Sequence, residues 1–162
     1  MLVPPQKHKP FKLYLLADER AIGSALIQEL EGKELVIYFV SRRLLDAETR
    51  YSPIERLCLC LYFSCTKLSH YLLSAECVVV SKDDVIKYML SLPILSGRIG
   101  KWILALSEFD LRYESAKAVK GRVIADFVVQ YCGPELGIID LVPWTLFFDG
   151  LSCVVGSGIG IV

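Results

Sequence analysis

Ser52-Pro53-Ile54-Glu55 is the stretch that decides the fold, because it starts a long helix directly after three strand-like segments. The serine can cap the helix, the proline suits its first position, and the glutamate can reach back to the cap. Apolar residues then continue to about Leu73 on more than one helix face. We therefore expect the helix to lie buried against a sheet.

The three segments before this helix have the composition of β-strands. They are Phe11 to Ala17, Ala21 to Glu29 and Leu35 to Ser41, with Glu31-Gly32-Lys33 as a hairpin turn. Three consecutive antiparallel strands are predicted.

The elements after the helix alternate between strand and helix. Cys77 to Ser81 is a short apolar strand typical of a sheet interior. The segments that follow are predicted as helix, helix, strand and helix: Val85 to Leu92, Ser96 to Leu106, Phe109 to Glu114 and Val123 to Tyr131. The resulting order β-β-β-α-β-α-α-β-α predicts an α/β fold, a mixed sheet with helices on its faces.

The C-terminal residues form a separate pattern. Trp144 to Asp149 alternates like a strand that ends in an aspartate, and Gly156 to Val162 follows as a glycine-spaced strand rather than a nucleotide loop. Two short strands cannot bury a core of their own. We therefore predict a domain over residues 1–132, a linker over 133–143 and a β segment over 144–162, and we expect the chain to be a fragment of a longer protein.

Composition limits the function classes. The chain is 54% hydrophobic and 22% charged, with eighteen basic and eighteen acidic residues, which excludes disorder and gives no global attraction to nucleic acid. Its start does not have the pattern of a signal peptide. The longest apolar stretch is well below the ~18 residues of a membrane span, so no membrane partner is predicted.

The six cysteines form no Cys-x-x-Cys pair and do not combine with His8 or His70 at a zinc spacing. Buried, reduced thiols are the favoured interpretation. The sequence thus predicts no metal site built from cysteine and histidine. Reduced thiols also indicate an intracellular location, either in a cytoplasmic particle or in the nucleus.

Five separated motifs point to one family. They are Leu13-Tyr14-Leu15-Leu16-Ala17 with Ala21-Ile22-Gly23, Leu45 to Glu55, Ser81-Lys82 with Ile86-Lys87-Tyr88, Leu95 to Arg98 with Lys101-Trp102, and Lys120-Gly121 with Ala125-Asp126. In this order they resemble the ribonuclease H-like domain that follows reverse transcriptase in gypsy-type LTR retrotransposon polyproteins of plants. The match covers about residues 9 to 131. The ending from Trp144 resembles the start of a second ribonuclease H.

The resemblance implies a ribonuclease H-like fold and a two-metal chemistry, in which four carboxylates hold Mg²⁺ ions that cut the RNA strand of a hybrid. By this resemblance the first ligand position falls on Leu16 and the second on Leu57. The third falls near Asp83 and the fourth on Asp126. Because a leucine has no lone pair for Mg²⁺, we expect no functional catalytic residue and no bound cofactor in residues 1 to 131.

Three aspartates thus remain as relic candidates, Asp83, Asp126 and Asp149, the last at the first ligand position of the second ribonuclease H. A shifted register could offer Asp18 or Glu55 instead. However, Asp18 would lie ~6 to 7 Å further along the strand, and Glu55 would point about 200° away from Leu57 around the helix.

A set of basic and aromatic side chains could bind nucleic acid: Lys82, Lys87, Arg98, Lys101 and Trp102. The alternative is a solvated helix face. For function, the favoured hypothesis is a degenerate connector between the polymerase and a downstream ribonuclease H of the parent polyprotein, which helps to position an RNA/DNA hybrid. The alternatives are an active hybrid-specific ribonuclease and a host-adopted binding module.

Overall fold

The computed structural model describes residues 4–92, 97–116, 148–153 and 156–161. Five strands form one sheet in the order β3-β2-β1-β4-β5. Their bounds are β1 Phe11–Ala17, β2 Ala21–Leu30, β3 Lys33–Arg43, β4 Cys77–Ser81 and β5 Leu111–Ser115. The first three strands are antiparallel neighbours, whereas β4 runs parallel to β1 and β5 parallel to β4. This confirms the predicted α/β fold with a mixed sheet.

Four α-helices accompany the sheet in the described residues: α1 Pro53–Lys67, α2 Ser69–Leu72, α3 Val85–Ser91 and α4 Gly97–Leu106. A short 3-10 helix, Glu48–Arg50, precedes α1. The start of α1 has the predicted capping box. The Ser52 side chain accepts from the Glu55 backbone N–H, and the Glu55 carboxylate accepts from the Ser52 backbone N–H at 2.9 Å. No helix among the described residues is long and apolar enough to cross a membrane.

Small polar side chains let α1 approach the sheet closely. The hydroxyls of Ser24 on β2 and Ser64 on α1 form a buried hydrogen bond of 2.7 Å. One turn earlier in α1, the Cys60 thiol donates to the carbonyl oxygen of Gly23 at 3.2 Å. Burial raises the pKa of Cys60 to about 12, so this thiol stays protonated as a donor. These contacts hold α1 across β1 and β2.

The main core lies between the sheet and the helices. It contains the inward residues of β1, β2 and β4 together with most of the buried face of α1 and the apolar side chains of α3 and α4. A second, smaller apolar cluster lies on the opposite face of the sheet and includes Tyr14, Ala25, Ile27 and Val80. The sheet is thus apolar on both faces at its centre, as expected for a strand such as β4 that reads as a continuous apolar run.

Several predicted boundaries differ from the structure. The long helix is interrupted at Leu68, whose φ of −105° and ψ of 17° leave the helical range, so that α2 is a separate short helix. The last strand of the sheet begins at Leu111 rather than at Phe109, because the Phe109 backbone N–H donates to the Leu106 carbonyl oxygen in the turn that follows α4. The predicted helix Val123 to Tyr131 and the linker 133–143 lie outside the described residues.

Two further strands form a separate hairpin, β6 Phe148–Cys153 and β7 Gly156–Ile161. The glycine-spaced segment is therefore a strand, as predicted. The prediction that Asp149 ends its strand was wrong. Asp149 pairs with Gly160 near the start of β6, and the ladder continues to Cys153.

Candidate functional site

A cavity of about 210 Å³ lies where the carboxyl ends of β1 and β4 meet. Because these two strands are parallel, the residues that follow them reach the same edge of the sheet. Leu16 near the end of β1, Leu57 in the second turn of α1 and Asp83 after β4 all line this cavity. The structure therefore brings together three of the four positions that the resemblance assigned to metal ligands.

Leu16 and Leu57 approach the cavity from two different apolar clusters. Leu16 is half-buried and packs with the cluster of Tyr14 and Val80. Leu57 is 7% exposed and belongs to the main core under α1. The remaining lining is also mostly apolar and comprises Tyr14, Leu15, Ala17, Pro53, Val80, Lys82 and Ala116. Most of the described residues that line the cavity are thus apolar, and Lys82 and Asp83 are its charged members.

The turn that carries Asp83 is held by its neighbours. The Ser81 hydroxyl donates to the Asp83 carbonyl oxygen at 2.7 Å, and the Tyr113 hydroxyl donates to the Ser81 carbonyl oxygen at 3.1 Å. The next residue, Asp84, caps α3 by accepting from the Lys87 backbone N–H at 2.9 Å. Asp83 is exposed, and its carboxylate forms no hydrogen bond with the described residues. The position of Asp83 is thus fixed through its backbone rather than through its carboxylate.

These side chains do not fit a pair of divalent metal ions. A two-metal site needs several carboxylate oxygens converging on ions about 4 Å apart, and the described lining of the cavity offers Asp83 alone. Among the described residues, no three His, Cys, Asp or Glu side chains are grouped closely enough to hold a metal ion.

Comparison with known proteins decides the family. Residues 6–109 match the model of the RNase H-like domain found in reverse transcriptase. The chain belongs to this family.

Similar sequences occur in retroelement polyproteins. The retrovirus-related Pol polyprotein from transposon opus of Drosophila melanogaster is 30% identical over 121 residues, which are 73% of this chain and 12% of that polyprotein. The corresponding polyprotein from transposon 297 of the same species is 28% identical over 119 residues, covering 74% and 11% of the two chains. The chain thus spans about a tenth of the length of these relatives.

Solved structures with the same fold include a foamy viral protease-reverse transcriptase, with a TM-score of 0.59 and 17% identity over 73% of this chain and 21% of that chain. LC11-RNase H1, isolated from compost, has a TM-score of 0.54 and 14% identity, and covers 76% of this chain and 95% of its own. At these identities the likeness concerns the fold. It confirms the predicted ribonuclease H-like architecture.

Asp18 and Glu55, the two carboxylates considered as shifted metal ligands, do not line the cavity of Leu16, Leu57 and Asp83. Asp18 follows the end of β1, is exposed, and accepts a hydrogen bond from the Glu19 backbone N–H at 2.7 Å. Glu55 is engaged by Ser52 and by Arg98, whose Nη2 lies 3.0 Å from the Glu55 Oε1. Of the other two relic candidates, Asp126 lies outside the described residues, and Asp149 lies in the β6–β7 hairpin.

The predicted nucleic-acid residues do not line one surface cavity. Lys82 lines the cavity with Leu16, Lys87 lines a different depression on α3, and Lys101 is exposed on α4. The Arg98 guanidinium lies over the Tyr51 ring, 4.0 Å from its centroid, in addition to its contact with Glu55. We therefore regard Arg98 chiefly as a tether between α4 and α1.

Trp102 is a core residue in the structure. It is 7% exposed, and its ring stacks on Tyr62 with centroids 5.9 Å apart. This burial argues against the predicted contact of Trp102 with nucleic-acid bases, because the ring already packs within the protein. The sequence of α4 could have indicated that Trp102 is buried, because Trp102 and Leu106 are apolar residues one turn apart on the same helix face.

Sequence reasoning missed Tyr14 as a cavity residue. The Tyr14 hydroxyl donates to the Glu34 Oε1 at 2.5 Å, and burial together with this bond raises its pKa. The alternation of β1 could have identified it, because Lys12, Tyr14 and Leu16 share one face of the strand. Because the Tyr14 hydroxyl is hydrogen-bonded to Glu34, Tyr14 lines the cavity with its ring rather than with a free hydroxyl.

Proposed function

We propose that this chain is a catalytically degenerate member of the family, which acts inside a Pol polyprotein as a connector and helps to position an RNA/DNA hybrid. The observation that carries the proposal is the cavity of Leu16, Leu57 and Asp83. Two leucines line it where the resemblance implies carboxylates, and both pack with apolar neighbours. If other residues had taken over the role of the missing ligands, further carboxylates would line the same cavity. Asp83 is the one acidic residue in the described lining.

The partners of the connector are proposed from the relatives. They are Pol polyproteins, of which this chain matches about a tenth, so a polymerase and a downstream ribonuclease H are the proposed neighbours. Foamy viral protease-reverse transcriptase structures hold double-stranded DNA in one case and an RNA/DNA hybrid in another. This supports a hybrid as the proposed ligand.

A nuclease assay tests the catalytic part of the proposal. The purified chain, with Mg²⁺ or Mn²⁺ and a labelled RNA/DNA hybrid, should release no more product than a sample with a metal chelator. The same hybrid in a binding assay should still associate with the chain. Metal-dependent cleavage that is lost in Asp126→Asn would contradict the proposal and identify an active ribonuclease.

The origin in a plant gypsy-type element and the start of a second ribonuclease H at Trp144 are also proposals. The five motifs support the first, and the β6–β7 hairpin with Asp149 in its first strand supports the second. Genomic sequence that continues the reading frame beyond Val162 offers a direct test. It should encode the remaining carboxylates of a ribonuclease H, and an unrelated or absent continuation would refute the second proposal.

An intracellular setting is proposed from the thiols. Cys58, Cys60, Cys65 and Cys77 are free and buried, which suits a reducing compartment. Immunofluorescence of the tagged chain, expressed without any added secretory signal, would test it, and export to the medium would contradict it.

A further inference from the structure

Two arginines line a groove of about 470 Å³ at one end of the sheet. Arg43 ends β3 and lies opposite Ala21 in the β2–β3 ladder, and Arg20 directly precedes Ala21. Both arginines line this groove, Arg43 from the last position of β3 and Arg20 from the turn that precedes β2. Leu44, Asp46 and Thr49 complete the lining of the groove.

The backbone that carries these arginines is firmly held. The Leu44 backbone N–H donates to the Arg20 carbonyl oxygen at 2.8 Å, and the Asp18 backbone N–H donates to the Ala21 carbonyl oxygen at 2.8 Å. The Leu44 side chain is 9% exposed and packs in the main core. The groove therefore has a fixed floor from which two exposed side chains project.

Both guanidinium groups are available for a ligand. Within the described part of the chain, Arg20 and Arg43 form no ion pair and no side-chain hydrogen bond. Their neighbour Arg42 differs, because its guanidinium donates to both carboxylate oxygens of Glu48, at 2.7 and 2.8 Å. The fold thus pairs Arg42 completely and gives the adjacent Arg43 no acidic partner among the described residues.

Unpaired arginines in a groove fit a phosphate group well. The planar guanidinium presents several N–H donors at once and binds phosphate oxygens in a bidentate manner. The groove also opens at the same end of the sheet as the cavity, since Arg43 and Ala21 lie next to the β1–β2 turn that follows Leu16. Asp46 is the one carboxylate in the described lining, and it would weaken phosphate binding without neutralising both arginines.

We propose that the Arg20–Arg43 groove binds the phosphodiester backbone of a nucleic-acid strand. The proposal deepens the proposed function and rests on it, because it assigns the surface through which a hybrid would be held. It requires no contact with the bases, so binding should be independent of sequence.

Fluorescence anisotropy with the full chain tests the proposal. The probes are a labelled RNA/DNA hybrid, a single DNA strand and a glutamate-rich peptide of similar charge, each titrated over a range of salt concentrations. The variant Arg20→Gln/Arg43→Gln removes two positive charges from the groove. The matched control Lys33→Gln/Arg112→Gln removes two from the opposite end of the sheet, where Lys33 begins β3 and Arg112 pairs with Glu76.

The groove variant should bind the hybrid at least about tenfold more weakly at low salt. Its slope of log affinity against log salt should fall by about 0.7 to 0.9 for each phosphate that the variant no longer neutralises. The control should keep both the affinity and the slope. Asp46→Asn should bind more tightly than the unmodified chain, because it removes the opposing charge.

Other outcomes separate this inference from the proposed function. If the unmodified chain binds the hybrid and the groove variant binds it equally well, the groove assignment is wrong and hybrid binding stands. If arginine-dependent binding occurs with the single strand alone, the groove stands and hybrid positioning is refuted. Arginine-dependent binding to the peptide alone would show that the ligand class is wrong, and binding to no probe would refute both proposals.

Discussion

The carboxylate of Glu55 joins two elements at once, because it accepts from the Ser52 backbone N–H and forms an ion pair of 3.0 Å with Arg98. The first contact closes the capping box of α1, and the second attaches α4 to the same turn. Glu55 therefore has a structural role. Although it lies two residues from Leu57, its carboxylate is held by Ser52 and Arg98 and does not supply a metal ligand to the cavity.

Replacing Glu55 should destabilise the fold in a pH-dependent manner. The pKa of Glu55 is lowered, mainly because its carboxylate accepts a hydrogen bond from the Ser52 backbone N–H. The ionised carboxylate therefore stabilises the fold above the unfolded-state pKa, and this stabilisation is lost as the pH falls through the folded-state pKa. We expect Glu55→Ala to cost about 1 kcal/mol at pH 7 and progressively less as the pH falls through the folded-state pKa. Urea denaturation over a series of pH values below 7 measures this. The exposed Glu108→Ala is the control, and a cost that does not decrease with falling pH would contradict the explanation.

The Ser24–Ser64 hydrogen bond should show coupling in a double-mutant cycle. Ser64→Ala leaves the buried Ser24 hydroxyl without this partner, which should cost about 1 to 3 kcal/mol. Ser24→Ala should cost less, because the Ser64 hydroxyl keeps its 2.7 Å hydrogen bond to the Cys60 carbonyl oxygen. The double variant should cost less than the sum of the two single variants, because no orphaned hydroxyl remains. Denaturant midpoints of the four proteins give the coupling energy. Additive costs would mean that the two hydroxyls do not stabilise each other.

Restoring carboxylates in the cavity should create a response to Mg²⁺. Leu57 is buried, so Leu16→Asp/Leu57→Glu should lower the free energy of unfolding by roughly 3 to 5 kcal/mol without metal. Millimolar Mg²⁺ should recover part of this loss, because it binds the folded state. Calorimetry with and without Mg²⁺ measures the recovery. Leu16→Asn/Leu57→Gln is the uncharged control, and an equal Mg²⁺ response in that control would exclude a carboxylate site.

The buried thiols should be inert in the folded protein. Burial raises the pKa of Cys58, Cys60 and Cys77 to about 12, so their thiolate fraction at pH 8 is about 10⁻⁴. Iodoacetamide labelling followed by mass spectrometry should leave these three unmodified in buffer and modify them in urea. Rapid labelling of any of them in buffer would indicate that α1 opens locally from the sheet.

The division at residues 132 and 133 predicts an independent N-terminal unit. The predicted elements of the ribonuclease H-like core end at Tyr131, so deleting residues 133–162 should leave the thermal midpoint unchanged or raise it. Limited proteolysis of the full chain should yield a stable product that ends near Tyr131. Loss of cooperative unfolding after the deletion, or protection through Val162, would mean that the C-terminal segment belongs to the core.

The sequence was sufficient for those features that depend on neighbouring residues. Capping chemistry at Ser52 and Glu55 predicted where α1 begins, and strand-like composition with a hairpin turn predicted β1 to β3, because both signals arise within a few residues of backbone. Chain order then predicted the mixed sheet. The interruption at Leu68 was missed, since its apolar pattern continues without a proline or glycine.

Tertiary structure brings together side chains of distant elements, three of which the family resemblance had already assigned to one site. The pairing of β1 with β4 brings Asp83 to Leu16, and the contact of α1 with the sheet brings in Leu57. The ladder of β2 with β3 sets Arg43 beside Arg20, while packing buries Trp102 against Tyr62. Such relationships depend on strand register and helix placement, which are set by the summed burial of many distant residues and leave no local pattern in the sequence.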